Sequence, residues 1–455
     1  MEFDLIKKYN VQGPRYTSYP TAAQLRATTD EQITDLHGYL LERNSNARPI
    51  SLYFHIPFCF SLCWYCGCTK IITKDTDRGN AYLDYLEKEM DLLSKFIHPG
   101  SEVVQIHFGG GTPTFLKTDQ LKRLGDAISE RFNLTEETEF SVEIDPRRCS
   151  REQIETLAEI GCNRASLGVQ DTNEDVQKAI HRIQPFEQTK TVTEWLRENG
   201  ITSINFDLIY GLPRQTSATF RQTMDDVLTL MPDRLAVYSY AHIPELMPSQ
   251  KLLKTEDFPS ADEKLGMLTS SINHLTGNGY RFIGMDHFSR RDEKLAKAMD
   301  DGTLQRNFQG YSTKAGADLY AFGMSGISTV GKWFWQNAKD ISAYYRCLDE
   351  NKIPVTKSVT LNDDDFIRRD VIMNIMCRMG VSFSDISEEW GIYFKQYFHR
   401  ELNRLKPFED DHLITITGSG IRIKDTGRLF LRNIAMCFDY YLNQAKEEHQ
   451  FSQTV

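Results

Sequence analysis

Short β-rich runs alternate with longer stretches of helical periodicity through the first half of the chain. The β-rich runs lie at Ser51–Ile56, Val103–Phe108, Glu139–Ile144, Arg164–Gly168, Ser203–Ile209 and Leu235–Tyr240. Helical patterns separate them at Tyr82–Phe96, Thr118–Phe132, Arg151–Ile160, Thr189–Asn199 and Ser217–Leu230. Strands that alternate with helices form right-handed βαβ units, so this pattern predicts an α/β fold with a parallel sheet.

Polar and glycine-rich residues stand at the end of nearly every predicted strand. They are His55-Ile56-Pro57, Gly109-Gly110-Gly111-Thr112-Pro113, Glu143-Ile144-Asp145-Pro146, Gln170-Asp171, Asp207 and Ala241-His242-Ile243-Pro244. A βα-barrel builds its active site at the carboxyl ends of its strands. Because a closed barrel needs about eight repeats, the pattern favours a partial, TIM-like (β/α)6 barrel. An open doubly wound sheet, or ordinary turns that favour Gly, Pro and Asp, are the alternatives.

The residues on either side of the barrel pattern have a different character. Residues 1–48 are polar and interrupted by proline, so we expect an extended N-terminal arm. The barrel pattern covers residues 49–290, a barrel extension or connector follows over 291–359, and residues 360–455 predict a mainly helical C-terminal domain. A hairpin at Gly418-Ser419-Gly420 makes that domain resemble a winged helix. Winged helices can bind DNA, but no concentrated basic face is visible, which favours a lid or packing role.

Composition narrows the class of protein. Of 455 residues, 40% are hydrophobic and 25% are charged, as in a globular protein. The formal net charge of −10 argues against a protein that coats nucleic acid. No apolar stretch approaches the roughly 18 residues that span a bilayer, and the start Met1-Glu2-Phe3-Asp4 is unlike a signal peptide. We therefore expect a cytoplasmic protein with no membrane span.

The cysteines carry the clearest chemical signal. Four of the nine fall within ten residues, as Cys59, Cys63, Cys66 and Cys68, with the spacing C-x3-C-x2-C-x-C. The others are scattered and are expected to be packing residues: Cys149, Cys162, Cys347, Cys377 and Cys437. Clustered thiols in a reducing compartment indicate a metal centre. An iron–sulfur cluster is favoured, whereas zinc and inert or redox thiols are the alternatives.

The loop spacing and its position resemble a known superfamily. Three thiolates in a tight loop can hold three irons of a 4Fe–4S cube and leave the fourth iron open for S-adenosylmethionine. C-x3-C-x2-C at the end of a first strand is similar to the radical S-adenosylmethionine (radical SAM) superfamily, whose fold is a partial barrel of six strands. The glycine run that ends the second strand supports this resemblance, because a backbone without Cβ atoms can approach a ligand closely.

Three further stretches narrow the resemblance to the family of oxygen-independent coproporphyrinogen III oxidases (dehydrogenases). They are Arg15–Thr21 (RYTSYPT), Asn205–Pro213 (NFDLIYGLP) and Arg432–Asp439 (RNIAMCFD), and Cys68 matches as well. The match covers nearly the whole chain. It implies oxidative decarboxylation of two propionates of coproporphyrinogen III to vinyl groups, giving protoporphyrinogen IX in haem biosynthesis. It also implies one or two S-adenosylmethionines, a low-potential electron donor such as flavodoxin or ferredoxin, and a monomer.

The resemblance assigns roles to individual residues. Cys59, Cys63 and Cys66 would bind the cluster, and Cys68 is the candidate catalytic residue. The S-adenosylmethionine at the cluster would contact Tyr53, Tyr65, Gly110, Glu143 and Ile327. A second S-adenosylmethionine would lie near Gly111, Thr112, Gln170, Arg182, Asp207 and Ala241. One stretch departs from the family pattern: Lys332-Trp333-Phe334-Trp335 is rich in aromatic residues, and its bulk is expected to shift the loop of Ile327.

Two other functions fit parts of this pattern. A haem-binding chaperone of the same superfamily would keep the barrel and the cluster without the decarboxylation. The presence of Arg15–Thr21 and Cys68 argues against it. A related radical SAM enzyme that modifies haem would differ in its product.

Overall fold

The computed structural model describes residues 3–307, 310–314, 316–444, 451 and 454. The chain divides into two compact units. The first, here called the barrel unit, consists of residues 25–271 and 316–360. The second, here called the terminal unit, consists of residues 1–24, 272–315 and 361–455. Each unit is therefore assembled from segments that are far apart in the chain.

Six parallel strands form the centre of the barrel unit. They are β1 (Ile50–Ile56), β2 (Glu102–Gly110), β3 (Asn133–Ile144), β4 (Arg164–Gln170), β5 (Ser203–Tyr210) and β6 (Arg234–Ser239). Each strand pairs in parallel with the next one along the chain. Helices connect them at Arg78–Leu93, Thr118–Arg131, Arg151–Glu159, Glu174–Ala179, Phe186–Glu198 and Ser217–Thr229. The predicted six-stranded α/β barrel fold is confirmed.

The sheet continues on the other side of β1. There β7 (Asp318–Phe322) lies parallel to β1. It is followed by three antiparallel strands: β8 (Ile327–Val330), β9 (Trp333–Asn337) and β10 (Val355–Thr360). The strand Arg26–Ala27 pairs with β10. The helix Ile341–Asp349 connects β9 to β10.

Burial alternates along the central strands with the period of a strand. In β4 and β5 every second residue is buried and apolar, as in Leu167 and Phe206. The residues between them are only half-buried, and most are polar, such as Ser166 and Asp207. Parallel strands covered on both faces are apolar throughout, so this alternation marks one face of the sheet as a polar interior. Two candidate functional residues, Glu143 of β3 and Asp207 of β5, are among the half-buried strand residues.

The prediction of an arm without regular structure over residues 1–48 is wrong for part of that range. Residues Asp30–Arg43 form a helix of 14 residues. Thr29 caps it by accepting from the backbone N–H of Gln32, and the side chain of Gln32 accepts from the N–H of Thr29. This capping box is a local signal for a helix start that the polar composition around it obscured.

The terminal unit is mainly helical with small sheets. Its longer helices are Asp363–Arg378 and Phe383–Trp390, and Gly380–Ser382, Ile414–Ile416 and Gly420–Ile423 form a three-stranded antiparallel sheet. Its shorter helices are Phe3–Tyr9, Lys294–Asp300, Phe394–Tyr397, His399–Arg404, Lys406–Asp410, Leu431–Met436 and Tyr440–Gln444. Two pairs of short strands complete it, at Tyr280–Gly284 with His287–Arg290 and at Gln305–Asn307 with Gly310–Ser312. One of the four boundaries between the two units falls within the helix Ala261–Gly277.

The chain after the three-stranded sheet forms short helical segments and no single long helix among the described residues. The segment contains a 3-10 helix at Asp425–Phe430 and two short α-helices. The last helix starts anew after Asp439, because the carboxylate of Asp439 accepts from the backbone N–H of Leu442 and so caps that helix.

Two of the family-like stretches bind each other inside the terminal unit. The Arg432 guanidinium donates to the carbonyl oxygens of Gly13 and Pro14. The hydroxyl of Tyr16 donates to Asp439 Oδ2 at 2.9 Å, and the hydroxyl of Tyr19 accepts from the N–H of Tyr440. The N-terminal stretch and the C-terminal stretch are therefore one packed structure, although more than 400 positions separate them in the chain.

A buried carboxylate, Glu89, joins the outer strands to the helix Arg78–Leu93. Its Oε1 accepts from Asn337 Nδ2 at 2.6 Å. Its Oε2 accepts from the N–H of Gly323 at 2.7 Å and from the Tyr344 hydroxyl at 2.6 Å. Burial raises the pKa of Glu89 to about 7, and these donors oppose a further rise. Because the pKa is raised on folding, Glu89 stabilises the fold less as the pH rises through about 7.

Removing the Tyr344 hydroxyl tests this network. We expect Tyr344→Phe to lower the free energy of unfolding by about 2 kcal/mol at about pH 8.5, where the hydrogen bond is made to an ionised carboxylate. The loss should be clearly smaller at about pH 5.5, because Glu89 is then protonated. Urea unfolding of the anaerobic protein at the two pH values measures both. Tyr345→Phe, the neighbouring ring, is the control, and an equal loss at both pH values would contradict the assignment.

Candidate functional site

The cysteine loop follows β1 directly and is anchored at several points. Phe58–Cys59 pairs in parallel with Ile71–Ile72. The N–H of Trp64 donates to the carbonyl oxygen of Ile180 at 3.1 Å, and the buried side chain of Gln250 donates to the carbonyl oxygen of Tyr65 at 3.1 Å. The same Gln250 amide also donates to the carbonyl oxygen of Ala241. The loop therefore crosses the carboxyl ends of the strands in a defined path.

Each of the three predicted cluster ligands has a polar neighbour at its sulfur. Cys59 Sγ lies 3.5 Å from the Thr112 hydroxyl. Cys63 Sγ accepts from Arg147 Nη2 at 3.4 Å and from Arg182 Nη1 at 3.7 Å. Cys66 Sγ accepts from the backbone N–H of Cys68 at 3.5 Å. These donors would stabilise thiolates, which are the form that binds iron.

The thiols differ in acidity. Burial raises the pKa of Cys59 to about 11. A hydrogen bond from the Cys68 thiol lowers the pKa of Cys66 to about 6, against the effect of burial. The same bond and burial raise the pKa of Cys68. Cys68 thus lies beside Cys66 and shifts its acidity.

The side chains around the cysteine loop have the chemistry that an iron–sulfur cluster needs. Three sulfurs with hydrogen-bond donors, and two guanidiniums beside one of them, fit an anionic group held by thiolates. Within the described ranges, no three His, Cys, Asp or Glu side chains converge closely enough to hold a single metal ion. A four-iron cube takes each thiolate at a different iron, so its ligands stand further apart than those of one ion.

Glu143 is held on the polar face of the sheet by two groups from β2. Its Oε2 accepts from the N–H of Gly110, and its Oε1 lies 3.2 Å from His107 Nε2. The ring of His107 stacks on Tyr53, with 5.8 Å between ring centroids. The carboxylate remains 44% exposed, so it is available to a ligand.

His107 is a member of this site that the sequence interpretation missed. Its Nδ1 lies 2.6 Å from the Ser141 hydroxyl, and its Nε2 lies 3.2 Å from Glu143 Oε1, so it links neighbouring strands on the polar face. The sequence feature that could have indicated His107 is its position two residues before the glycine run, on the same face of β2.

Asp207 lies on the same face, further along the sheet. It accepts from the Ser166 hydroxyl at 2.7 Å and from Asn205 Nδ2 at 2.9 Å. Burial raises the pKa of Asp207 to about 6, although both hydrogen bonds oppose this. Asp207 is thus half-buried, polar and close to a protonation change at neutral pH.

Gln170 and Arg182 meet at the end of β4. Gln170 has a backbone φ of 67°, in the left-handed region that is uncommon for residues other than glycine. A Cβ atom on Gly168 would lie 2.8 Å from Gln170 Nε2 and 3.2 Å from Arg182 Nη2, so both side chains fold over Gly168. Arg182 Nη1 and Nη2 both donate to the carboxylate of Asp145. Its Nε is buried without a hydrogen-bond partner in the described structure.

The glycine run serves the protein's own packing. A Cβ on Gly111 would lie 2.6 Å from the carbonyl oxygen of Pro57 and 2.8 Å from that of Phe58. Gly110 has a φ of 118°, and a Cβ there would meet the His55 ring at 2.9 Å. The sequence interpretation, in which the missing Cβ atoms make room for a ligand, is therefore incomplete, because neighbouring protein atoms already fill that space.

Ile327 begins β8 and is half-buried. It pairs with Gln336 of β9. The aromatic residues Trp333, Phe334 and Trp335 are all buried in β9, where they pair with the residues that follow Ile327 in β8. The bulk that was expected to shift the Ile327 loop is thus accommodated inside the outer strands.

Comparison with known proteins identifies the family. Residues 53–227 match the model of the radical SAM superfamily, and residues 361–430 match the HemN C-terminal domain. The chain is 43% identical to an oxygen-independent coproporphyrinogen III oxidase of Salmonella typhimurium and 44% identical to one of Pseudomonas aeruginosa, in both cases over 99% of this chain and 98% of the relative. This chain belongs to the oxygen-independent coproporphyrinogen III oxidase family. A solved structure of the coproporphyrinogen III oxidase from Escherichia coli, described as a radical SAM enzyme, superposes with a TM-score of 0.92 at 41% identity, covering 97% of this chain and 99% of that one.

Membership of the family confirms the fold and the radical SAM cofactor class. It leaves the roles of single residues as predictions. No helix among the described residues has the length and apolar character to cross a membrane.

The cluster ligands can be tested one at a time. We expect Cys59→Ala, Cys63→Ala and Cys66→Ala each to lose the 4Fe–4S cluster, because three thiolates leave one of the four irons open and the loss of any one leaves two irons without a protein ligand. Iron and sulfide content after anaerobic reconstitution measures the loss. Cys149→Ala, a half-buried thiol of the same unit, is the control and should keep the cluster. Stoichiometric zinc without iron in the unmodified protein would contradict the assignment.

The close packing at Gly111 gives a second test. In Gly111→Ala the new methyl group meets two backbone oxygens that cannot rotate away, so the start of the cysteine loop must move. We expect the iron content to fall by at least about half. Gly38→Ala is the matched control, since a Cβ there meets no atom within 4 Å. Full iron content in Gly111→Ala would show that the loop tolerates the shift.

Proposed function

We propose that this chain converts coproporphyrinogen III to protoporphyrinogen IX by oxidative decarboxylation of two propionate side chains to vinyl groups. Relatives that match over nearly the whole chain carry the name oxygen-independent coproporphyrinogen III oxidase. The observation that carries the proposal is the loop of Cys59, Cys63 and Cys66, which lies at the carboxyl end of β1 beside a polar barrel interior.

The three thiols would hold a 4Fe–4S cluster with S-adenosylmethionine beside it. When bound, these groups would supply one-electron cleavage of S-adenosylmethionine and the hydrogen-atom abstraction from a propionate β-carbon that the decarboxylation needs, with a one-electron acceptor taking up the electron released with carbon dioxide. The protein's own residues bind and orient the reactants and exclude water and oxygen.

Five residues are proposed to contact the S-adenosylmethionine at the cluster: Tyr53, Tyr65, Gly110, Glu143 and Ile327. Support comes from the polar face, where the Tyr53 ring and the Glu143 carboxylate both contact His107. A half-exposed carboxylate held by Gly110 can accept hydrogen bonds from an ammonium or a ribose hydroxyl. Tyr65 is held through its carbonyl oxygen by Gln250.

A second S-adenosylmethionine is proposed to lie near Gly111, Thr112, Gln170, Arg182, Asp207 and Ala241. The buried Arg182 Nε supports this, because a ligand oxygen there would satisfy a donor that the described protein leaves unsatisfied. Since Asp145 occupies the fork of Arg182, we propose that Arg182 meets a ligand through Nε. Asp207 offers acceptor oxygens on the same polar face.

We further infer a monomeric protein of the cytoplasm that takes electrons from a low-potential donor such as flavodoxin or ferredoxin. All nine cysteines are free thiols, which fits reducing surroundings. A cluster that reduces S-adenosylmethionine has a low reduction potential. Its electron donor must therefore also have a low reduction potential.

The activity is tested with the anaerobically reconstituted protein, S-adenosylmethionine, a chemical reductant and coproporphyrinogen III. We expect protoporphyrinogen IX, with the loss of two carbon dioxide molecules per porphyrinogen. Chromatography of the porphyrins after oxidation measures the product. Tight haem binding without conversion would favour a haem-binding chaperone, and a methylated or opened haem product would favour a haem-modifying enzyme.

Cys68 separates catalysis from cluster binding. We propose that the thiol of Cys68, which hydrogen-bonds to Cys66, acts in the conversion of substrate and is not a cluster ligand, since a fourth thiolate would occupy the open iron. Cys68→Ser should therefore keep the iron content and the absorption spectrum and lose at least about 90% of protoporphyrinogen formation. Cys347→Ser, another thiol of the barrel unit, is the control. Conversion at the full rate by Cys68→Ser would make this cysteine a packing residue.

A further inference from the structure

Two guanidiniums share one carboxylate at the carboxyl end of β3. Arg147 Nη2 donates to Asp145 Oδ2 at 2.7 Å, and Arg147 Nε donates to Oδ1 at 3.0 Å. Arg182 donates to the same two oxygens at 3.2 and 3.3 Å. All three side chains are largely buried, with exposed fractions of 12% for Asp145, 13% for Arg147 and 7% for Arg182. This trio is hereafter called the Asp145 group.

The Asp145 group carries a surplus positive charge. Burial alone would raise the pKa of Asp145, but Arg182 and Arg147 lower it to about 2, so the carboxylate is ionised at neutral pH. Arginine stays protonated in proteins. Two positive charges and one negative charge therefore lie together in a region of low dielectric, where a charge acts more strongly than at the surface.

Both guanidiniums contact the same sulfur atom, that of Cys63. Arg147 Nη2 lies 3.4 Å from Cys63 Sγ, and Arg182 Nη1 lies 3.7 Å from it. Neither Cys59 nor Cys66 has a guanidinium contact among the described residues. Cys63 therefore has two guanidiniums at its sulfur, whereas the cation near Cys66 is the Lys70 ammonium, which donates to the Cys66 carbonyl oxygen at 3.1 Å.

We propose that the Asp145 group sets the reduction potential of the cluster bound at Cys63, with Arg147 supplying the charge that raises it. This inference rests on the assignment of Cys63 as a cluster ligand. A reduced cluster is more negative than an oxidised one. Positive charge and hydrogen bonds at a ligand sulfur stabilise the reduced form and raise the potential.

Of the two arginines, we assign the supply of positive charge at the Cys63 sulfur to Arg147. Arg182 also donates to the carbonyl oxygen of Gly168 at 2.7 Å and holds the end of β4. The side-chain bonds of Arg147 go to Asp145 and to the sulfur of Cys63. Its place is prepared by the turn Pro146–Arg148, in which Asp145 accepts from the backbone N–H of Arg147.

The next residue provides a matched control. Arg148 belongs to the same turn but is exposed, and its guanidinium lies over the ring of Phe60 at 5.9 Å. Arg148→Met makes the same change of charge and side-chain length as Arg147→Met, one position further along the chain. It leaves the Asp145 group intact.

The experiment measures the midpoint potential of the anaerobically reconstituted full-length protein, by a redox titration followed with electron paramagnetic resonance and without substrate. We expect Arg147→Met to lower the potential, because it removes the surplus charge. Asp145→Asn should raise the potential, because it removes the negative charge and leaves both guanidiniums. Arg147→Lys should lie between Arg147→Met and the unmodified protein, and Arg148→Met should equal the unmodified protein.

The opposite directions distinguish electrostatic tuning from a structural role. Damage to the loop would move Arg147→Met and Asp145→Asn in the same direction or remove iron from both, and either result would overturn the inference. Unchanged potentials with full iron content would overturn it as well. If one variant loses its iron, the signs of the other and of Arg147→Lys decide. A protein that holds its cluster but makes no protoporphyrinogen would contradict the proposed function and leave this measurement valid.

Discussion

The carboxylate of Asp145 binds two buried guanidiniums at the carboxyl end of β3, and the elements around the site depend on this pairing. An unpaired charge at such depth costs several kcal/mol. The pairing also determines the positions of neighbouring parts of the chain. Through Arg182 it reaches the carbonyl oxygen of Gly168 at the end of β4, and through both guanidiniums it reaches Cys63 in the loop after β1. The ends of β3 and β4 and the loop after β1 therefore meet at the Asp145 group.

The barrel unit separates apolar and polar side chains by face. Alternate residues of β4 and β5 are buried and apolar, and those between them are mostly polar and partly accessible. On the accessible face the polar groups bind each other before any ligand arrives, as in the contacts of His107 with Ser141 and Glu143. Such contacts fix rotamers in advance, so less conformational entropy is lost when a ligand binds.

The outer strands are held by a second buried carboxylate with neutral partners. Glu89 accepts from an amide, a hydroxyl and a backbone N–H, and burial raises its pKa to about 7. At Asp145 the partners are cations, and the pKa is lowered to about 2. The same chemical group thus has opposite shifts in one unit, because desolvation dominates at Glu89 and the guanidiniums dominate at Asp145.

The order of strands and helices, the cysteine loop and the polar strand ends could all be read from the sequence. Each depends on near neighbours in the chain: alternation of residue types, punctuation by Gly and Pro, and thiol spacing. The resemblance to a family also placed Arg15–Thr21 and Arg432–Asp439 as family stretches, but their mutual binding was visible only in the folded terminal unit. The helix at Asp30–Arg43 had a local signal at Thr29 and Gln32 that composition outweighed.

Which polar residue meets which was decided by the folded chain. The sequence singled out Arg182 without its partner Asp145, and it did not single out Arg147, His107 or Gln250 at all. These pairings join residues from different strands and loops. A residue's type shows that it needs a partner, because a buried charge or hydrogen-bonding group must be satisfied. The partner itself is chosen by strand order and register, which bring distant positions within hydrogen-bonding distance.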